Sequence, residues 1–162
     1  MKKAESNPGK NFNAELEVDK TPAEAFHAIN NVRGWWSEGL EGKSEKLHDE
    51  FVYRHKDIHY SVQKLVEVIP DKKVVWLIMD SSLNFVKDRE EWNGTQVRFD
   101  IVKNGRKTIV RFTHEGLVPA LECFDACSGG WTYYLDSLRK LIETGKGMPD
   151  PKSNMPKVSE VG

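Results

Sequence analysis

Apolar residues Phe12, Ala14, Leu16 and Val18 alternate with Asn13, Glu15 and Glu17, the period-two pattern of a half-buried strand. Asp19 and Lys20 end it. Thr21-Pro22-Ala23-Glu24 then predicts a helix start, with Thr as N-cap, Pro at the first helical position and Glu reaching back as in a capping box. Phe26 and Ile29 fall on one face of this short helix, which Asn30, Asn31 and Gly34 interrupt just before Trp35-Trp36. Two polar-patterned strands are predicted over Leu47 to Arg54 and Ile58 to Val68, with a turn at Pro70-Asp71-Lys72 and a denser apolar strand over Val74 to Met79.

A charged loop spans Asp80 to Asn93. Thr95, Val97, Phe99 and Ile101 then alternate with Gln96, Arg98 and Asp100. Asn104-Gly105 is a hairpin signal, because both residue types tolerate positive φ. The return strand places Thr108, Val110, Phe112 and His114 on one face. A long helix is predicted over Leu121 to Thr144, where Phe124, Cys127, Trp131, Leu135, Leu138 and Ile142 recur at helical spacing and Gly145 is placed to cap the end. Strand, helix pair, about six antiparallel strands and a long helix make an α+β order, with a curved antiparallel sheet closed over one helix.

Composition narrows the partners more than the fold. The 162 residues carry 24 Lys plus Arg against 25 Asp plus Glu, for a net charge of -1, which gives no support for nucleic-acid binding. No run of 18 apolar residues is present, so no transmembrane helix is expected. The start of the chain has no apolar stretch of the secretory kind, so a cytoplasmic location is expected, with Cys123 and Cys127 reduced. Polar, Pro- and Gly-bearing ends predict a flexible arm over residues 1–11 and a flexible tail over 147–162, flanking one domain over 12–146.

The order of elements resembles the helix-grip fold of the START-like (SRPBCC) superfamily, in its branch related to the activator of the 90-kDa heat-shock protein ATPase. The residues behind the resemblance are Val18 to Phe26, Trp35-Trp36, Trp92-Asn93-Gly94-Thr95, Phe112 to Leu117 and Gly130-Trp131. It spans roughly residues 12–146, and the order and spacing of the motifs carry it. The resemblance implies a hydrophobic cavity between the long helix and the sheet that holds a small apolar ligand. The superfamily includes lipid carriers, polyketide cyclases and hydroxylase subunits, so the fold alone leaves the function open.

The residues placed to line such a cavity are Trp36, Trp76, Phe99, Phe112, His114, Phe124, Cys127 and Trp131. The same aromatics can simply fill the core. His114 shares parity with Val110 and Phe112, so it is expected to point inward, either as an acid or base of the cavity or as a core histidine hydrogen-bonded to its surroundings. His27, His48, His55 and His59 fall on polar-patterned surfaces or turns and are given no role. Gly129-Gly130 implies either a close approach of the helix or a kink. Cys123 and Cys127 with His114 lack the ligand count and spacing of a metal site, so no metal and no cofactor are expected. Asp80, Asp88, Glu90 and Glu91 are expected in a solvated loop over the cavity mouth.

No phosphate loop, H-E-x-x-H, G-x-S-x-G or dinucleotide fingerprint is present, and no catalytic residue is assigned. Three functions follow in order: a binding protein for a lipid-like or aromatic small molecule, a cavity-based enzyme of cyclase or hydrolase type, and a protein-interaction module similar to a chaperone ATPase activator. The third would use Trp35 and Trp36 as a surface patch. The sequence sets no oligomeric state.

Overall fold

A computed structural model describes residues 11–56 and 58–151; most of the two expected arms lies outside the described residues. Strand β1 (Phe12–Val18) leads into helices α1 (Pro22–Asn30) and α2 (Val32–Trp35). Strands β2 (Glu41–Gly42), β3 (Glu50–His55), β4 (His59–Ile69), β5 (Lys73–Leu83), β6 (Gln96–Asn104) and β7 (Lys107–Glu115) follow, and helix α3 (Phe124–Thr144) comes last. All seven strands join one antiparallel sheet in the order β1-β7-β6-β5-β4-β3-β2. The architecture is the α+β helix-grip arrangement, a curved sheet around a long helix.

Local sequence explains most element ends. Thr21 Oγ1 accepts from the Glu24 N–H at 3.1 Å, and the Glu24 carboxylate accepts from the Thr21 N–H at 2.9 Å, closing the capping box. Gly145 ends α3 at φ 86, and its N–H donates to Leu141 O. The β6–β7 hairpin differs from expectation in register. Asn104 pairs with Lys107, so the two-residue loop is Gly105-Arg106, and Gly105 alone takes the left-handed φ of 64 at its first position. Register shifts between Val62 and Gln63 and between Leu65 and Glu67 bend β4 against β5.

The inward face of the sheet carries Phe51, Leu65, Val74, Trp76, Val97, Phe99, Val110 and Phe112, all fully buried. Trp131, Leu135, Leu138 and Ile142 of α3 bury their side chains against this layer and the helix pair. Trp35 and Trp36 belong to that core at 0% and 2% exposure, which corrects their expected place at the surface. Trp35 even donates its indole N–H to Ile29 O inside it, at 3.1 Å.

The start of the segment expected as a tail is anchored. Met148 N–H donates to Ser137 Oγ at 2.6 Å, and Asp150 N–H donates to Trp36 O at 2.9 Å. Glu38 N–H in turn donates to Asp150 O at 2.8 Å. Gly147 fits because a Cβ there would stand 2.5 Å from Gly34 O.

Candidate functional site

Aromatic rings fill most of the space between helix and sheet. Trp36 stacks on Trp76 at 5.7 Å and on Tyr53 at 4.5 Å, and Trp131 lies 4.8 Å from Phe112 and 5.9 Å from Trp92. Trp76 meets Phe99 at 5.0 Å. Such offset and edge contacts hold rings rigidly, so this region is packed core.

Open volume remains at one end, in a pocket of about 270 Å³. Helix α3 supplies Ala126, Cys127, Gly130, Trp131 and Tyr134 to its wall. The β3–β4 hairpin supplies Tyr53, His55, Ile58 and His59, the loop after β5 supplies Phe85 and Trp92, and Trp36 stands at the inner end. Among the residues expected to line a cavity, Trp36, Cys127 and Trp131 meet here. Trp76, Phe99, Phe112 and His114 sit deeper, at 0% exposure, because the strands that carry them face the aromatic core. Phe124 packs against the core from the first turn of α3, away from the pocket wall.

His114 is sealed. Its Nδ1 accepts the Trp131 indole N–H at 3.0 Å, and its Nε2 lies 2.8 Å from Thr95 Oγ1. Trp131 has only a donor to offer, so Nδ1 is bare and Nε2 carries the proton. Thr95 Oγ1 receives that proton and donates its own to Trp92 O at 2.6 Å. Burial, with a smaller contribution from His59, depresses the imidazole to about 3, so it stays neutral. Both nitrogens are bonded and the ring faces no open volume, as in a core histidine.

His59, like His55, lines the pocket, contrary to the expectation that both fall on polar-patterned surfaces or turns without a role. It packs edge-on against Trp92 at 4.6 Å and Tyr53 at 5.0 Å. Burial first, then His55, depresses its pKa to about 3, and its buried Nε2 has no hydrogen-bond partner among the described residues. Trp36 Nε1 and Trp92 Nε1 are also buried without a partner of good geometry among the described residues.

The polar end of the pocket is built on Asp150. Tyr134 OH donates to Asp150 Oδ2 at 2.6 Å and Tyr53 OH at 3.2 Å, while the two phenolic oxygens are 3.1 Å apart. His55 Nδ1 is 3.5 Å from the same carboxylate oxygen, at ion-pair distance but without hydrogen-bond alignment. Burial, reinforced by Asp150, holds both phenols protonated above the usual tyrosine range. His55 and the Tyr53–Tyr134–Asp150 cluster were missed in the sequence, where nothing links Asp150 to Tyr53.

The Gly129-Gly130 pair lies within an unbroken α3, and a Cβ at either position would meet nothing within 4 Å. Neither a kink nor a close packing contact explains it; at Gly130 the free space is the pocket. The acidic loop behaves partly as expected. Asp88 and Glu90 are exposed, whereas Glu91 accepts the N–H groups of Glu122 at 3.1 Å and Cys123 at 3.2 Å beside the start of α3.

The model of one family, described as Activator of Hsp90 ATPase homolog 1-like protein, matches residues 21–143. No curated protein matches the sequence. Among solved structures, the Aha1 dimer from Colwellia psychrerythraea is similar over 85% of this chain and 99% of that one, with 24% identity and a TM-score of 0.69. Protein MLL2253 from Mesorhizobium loti is similar over 82% and 96% of the two chains, at 14% identity and a TM-score of 0.66. CalU16 from Micromonospora echinospora is similar over 83% and 77%, at 13% identity and a TM-score of 0.61. These likenesses establish a shared fold. With most of the domain matched by the family model, the chain belongs to the Activator of Hsp90 ATPase homolog 1-like family.

Proposed function

We propose that the protein binds a small, largely apolar or aromatic molecule in the pocket between α3, the β3–β4 hairpin and the loop after β5. The observation that carries this reading is open volume of about 270 Å³ walled by Trp36, Trp92, Trp131 and Phe85, with the Tyr53 and Tyr134 hydroxyls at its polar end. Small-molecule sites commonly pair apolar walls with a few placed polar groups. With Tyr53, His55 and Tyr134 in the wall, a ligand with one carbonyl or hydroxyl group suits it better than a pure hydrocarbon. The volume of about 270 Å³ favours a ligand of one or two rings over a long-chain lipid.

The other two readings have less support. The enzyme reading depended on His114, which has both nitrogens bonded within the core. The interaction-module reading depended on Trp35 and Trp36 at the surface, where they are not.

Titration of the purified protein with 4-phenylbutan-2-one, followed by tryptophan fluorescence, tests the proposal. Saturable, one-to-one quenching is expected. A signal that never saturates, or none at all, would overturn the reading.

A further inference from the structure

The hydroxyl protons at the polar end of the pocket are already committed. Tyr134 OH lies 2.6 Å from Asp150 Oδ2, Tyr53 OH lies 3.2 Å from it, and the two phenolic oxygens are 3.1 Å apart. Each phenol has one proton to give. Tyr134 gives its proton to the carboxylate, and Tyr53 gives its own either to the carboxylate or to Tyr134. In both arrangements the two protons are spent inside the cluster, and the phenols keep only lone pairs for a ligand. A ligand carbonyl finds no donor on them, whereas a ligand N–H finds acceptors.

The carboxylate behind the phenols is held in place by its own backbone. Asp150 N–H donates to Trp36 O at 2.9 Å, and Asp150 O accepts from Glu38 N–H at 2.8 Å. Its side chain is only 13% exposed. The pocket wall holds no Lys or Arg, and burial keeps His59 neutral by holding it near 3. His55 Nδ1, 3.5 Å from Asp150 Oδ2, offsets the charge only while that imidazole is protonated. Hydrogen bonds in a chain polarise one another, so the phenol oxygens share in the negative charge. Around them Trp36 stacks on Tyr53 at 4.5 Å, while Tyr134 and Trp131 tilt against Trp36 by 54° and 48°. Aromatic rings attract cations through their quadrupole, and more strongly where water is excluded. Rings, lone pairs and carboxylate therefore all favour the same sign of charge.

We propose that the pocket selects arylalkyl ammonium cations, with the ammonium group on the Tyr53 and Tyr134 oxygens in front of Asp150 and the aryl ring among Phe85, Trp92 and Trp131. The inference rests on the binding reading above and adds the charge of the ligand to it. A volume of about 270 Å³ accommodates one ring, a short chain and the ammonium group.

The test titrates the full chain, by tryptophan fluorescence, with four ligands of one shape: 4-phenylbutan-2-amine, 4-phenylbutan-2-ol, 4-phenylbutan-2-one and 4-phenylbutanoate. It is run at about pH 8, where an alkylamine is charged and histidine in general is neutral. The amine is expected to bind about tenfold more tightly than the ketone, and the carboxylate more weakly than either. In Asp150→Asn the ratio of amine to ketone affinity should fall toward one, a readout that a general loosening of the pocket does not produce. Saturable binding of the ketone with no preference for the amine overturns cation selection and leaves the binding reading standing. An alcohol as tight as the amine also overturns it, because donation without charge then suffices. An unchanged ratio in Asp150→Asn overturns the role of the carboxylate. No saturable response to any of the four defeats both readings together.

Discussion

Trp131 donates its indole N–H to Nδ1 of His114 across 3.0 Å, joining the long helix to the last strand within the core. The bond fixes the histidine tautomer and sends its proton to Thr95, so one interaction ties α3, β7 and the end of the loop that carries Trp92. Removing either partner strands a buried polar atom. Trp131→Phe is expected to destabilise the fold by about 1–3 kcal/mol, and His114→Ala by a similar amount plus the cost of a cavity. Urea unfolding of the two variants and the double variant measures this. Fully additive losses would mean that the bond contributes nothing of its own.

Acid should weaken the fold before its carboxylates protonate. His59 and His114 are held near 3, whereas unfolded histidine titrates near 6.5. Between those values the unfolded chain binds more protons, so the stability these groups contribute is complete above pH 6.5 and falls as pH drops toward 3. At pH 5 the loss is about 2 kcal/mol for His114 and less for the half-buried His59. Urea midpoints measured from pH 7.5 to pH 5 give the slope. His114→Gln should flatten it, and an unchanged slope would contradict the buried neutral imidazole.

The glycine pair separates stability from binding. Gly129 is exposed, and Gly130 borders the pocket. Replacing either by Ala should stabilise α3 by roughly 0.5–1 kcal/mol, since neither new methyl group meets a neighbour. Only Gly130→Ala should weaken binding of 4-phenylbutan-2-one, because its methyl group enters the pocket. Thermal unfolding and fluorescence titration of the two variants check both halves of the expectation.

Asp150 holds the C-terminal segment against the pocket through Tyr134 and Tyr53. Hydrogen bonds to a charged group contribute about 1.5–3 kcal/mol. Tyr134→Phe should therefore speed amide exchange at Glu38 and Asp150, whose N–H groups bind this segment, by roughly tenfold to a hundredfold. Unchanged exchange at those two amides would show that the segment is held by its other contacts.

Where local chemistry decided structure, the sequence was legible. Thr21 and Glu24 cap α1 as their spacing requires, and the alternation of Val97, Phe99 and Ile101 places them inward as observed. The pocket was less legible because β4 inverts the usual rule. Its inward positions are His59, Ser61, Gln63 and Leu65, so three of the four are polar, and Ser61 and Gln63 are fully buried. A period-two pattern assigns faces by hydrophobicity, and here the buried face is the more polar one.

Trp35 and Trp36 illustrate the opposite difficulty. Adjacent tryptophans at a helix break suggested a surface, yet both are buried by long-range contacts with Trp76, Phe99 and Tyr53. In the sequence, Asp150 falls in a proline-bearing tail with no signal of a partner. Its partners Tyr53 and Tyr134 are far away in sequence, and only the folded chain brings them together.

The central claim is that the end of the core lined by Trp36, Trp92 and Trp131 is a binding site and the rest is packed solid. Five tryptophans give five indole N–H resonances, which a ¹H–¹⁵N correlation spectrum resolves from the backbone. Titration with 4-phenylbutan-2-one should shift the signals of Trp36, Trp92 and Trp131 and leave those of Trp35 and Trp76 in place. Five unmoved signals, or larger shifts at Trp35 and Trp76 than at the other three, would contradict it.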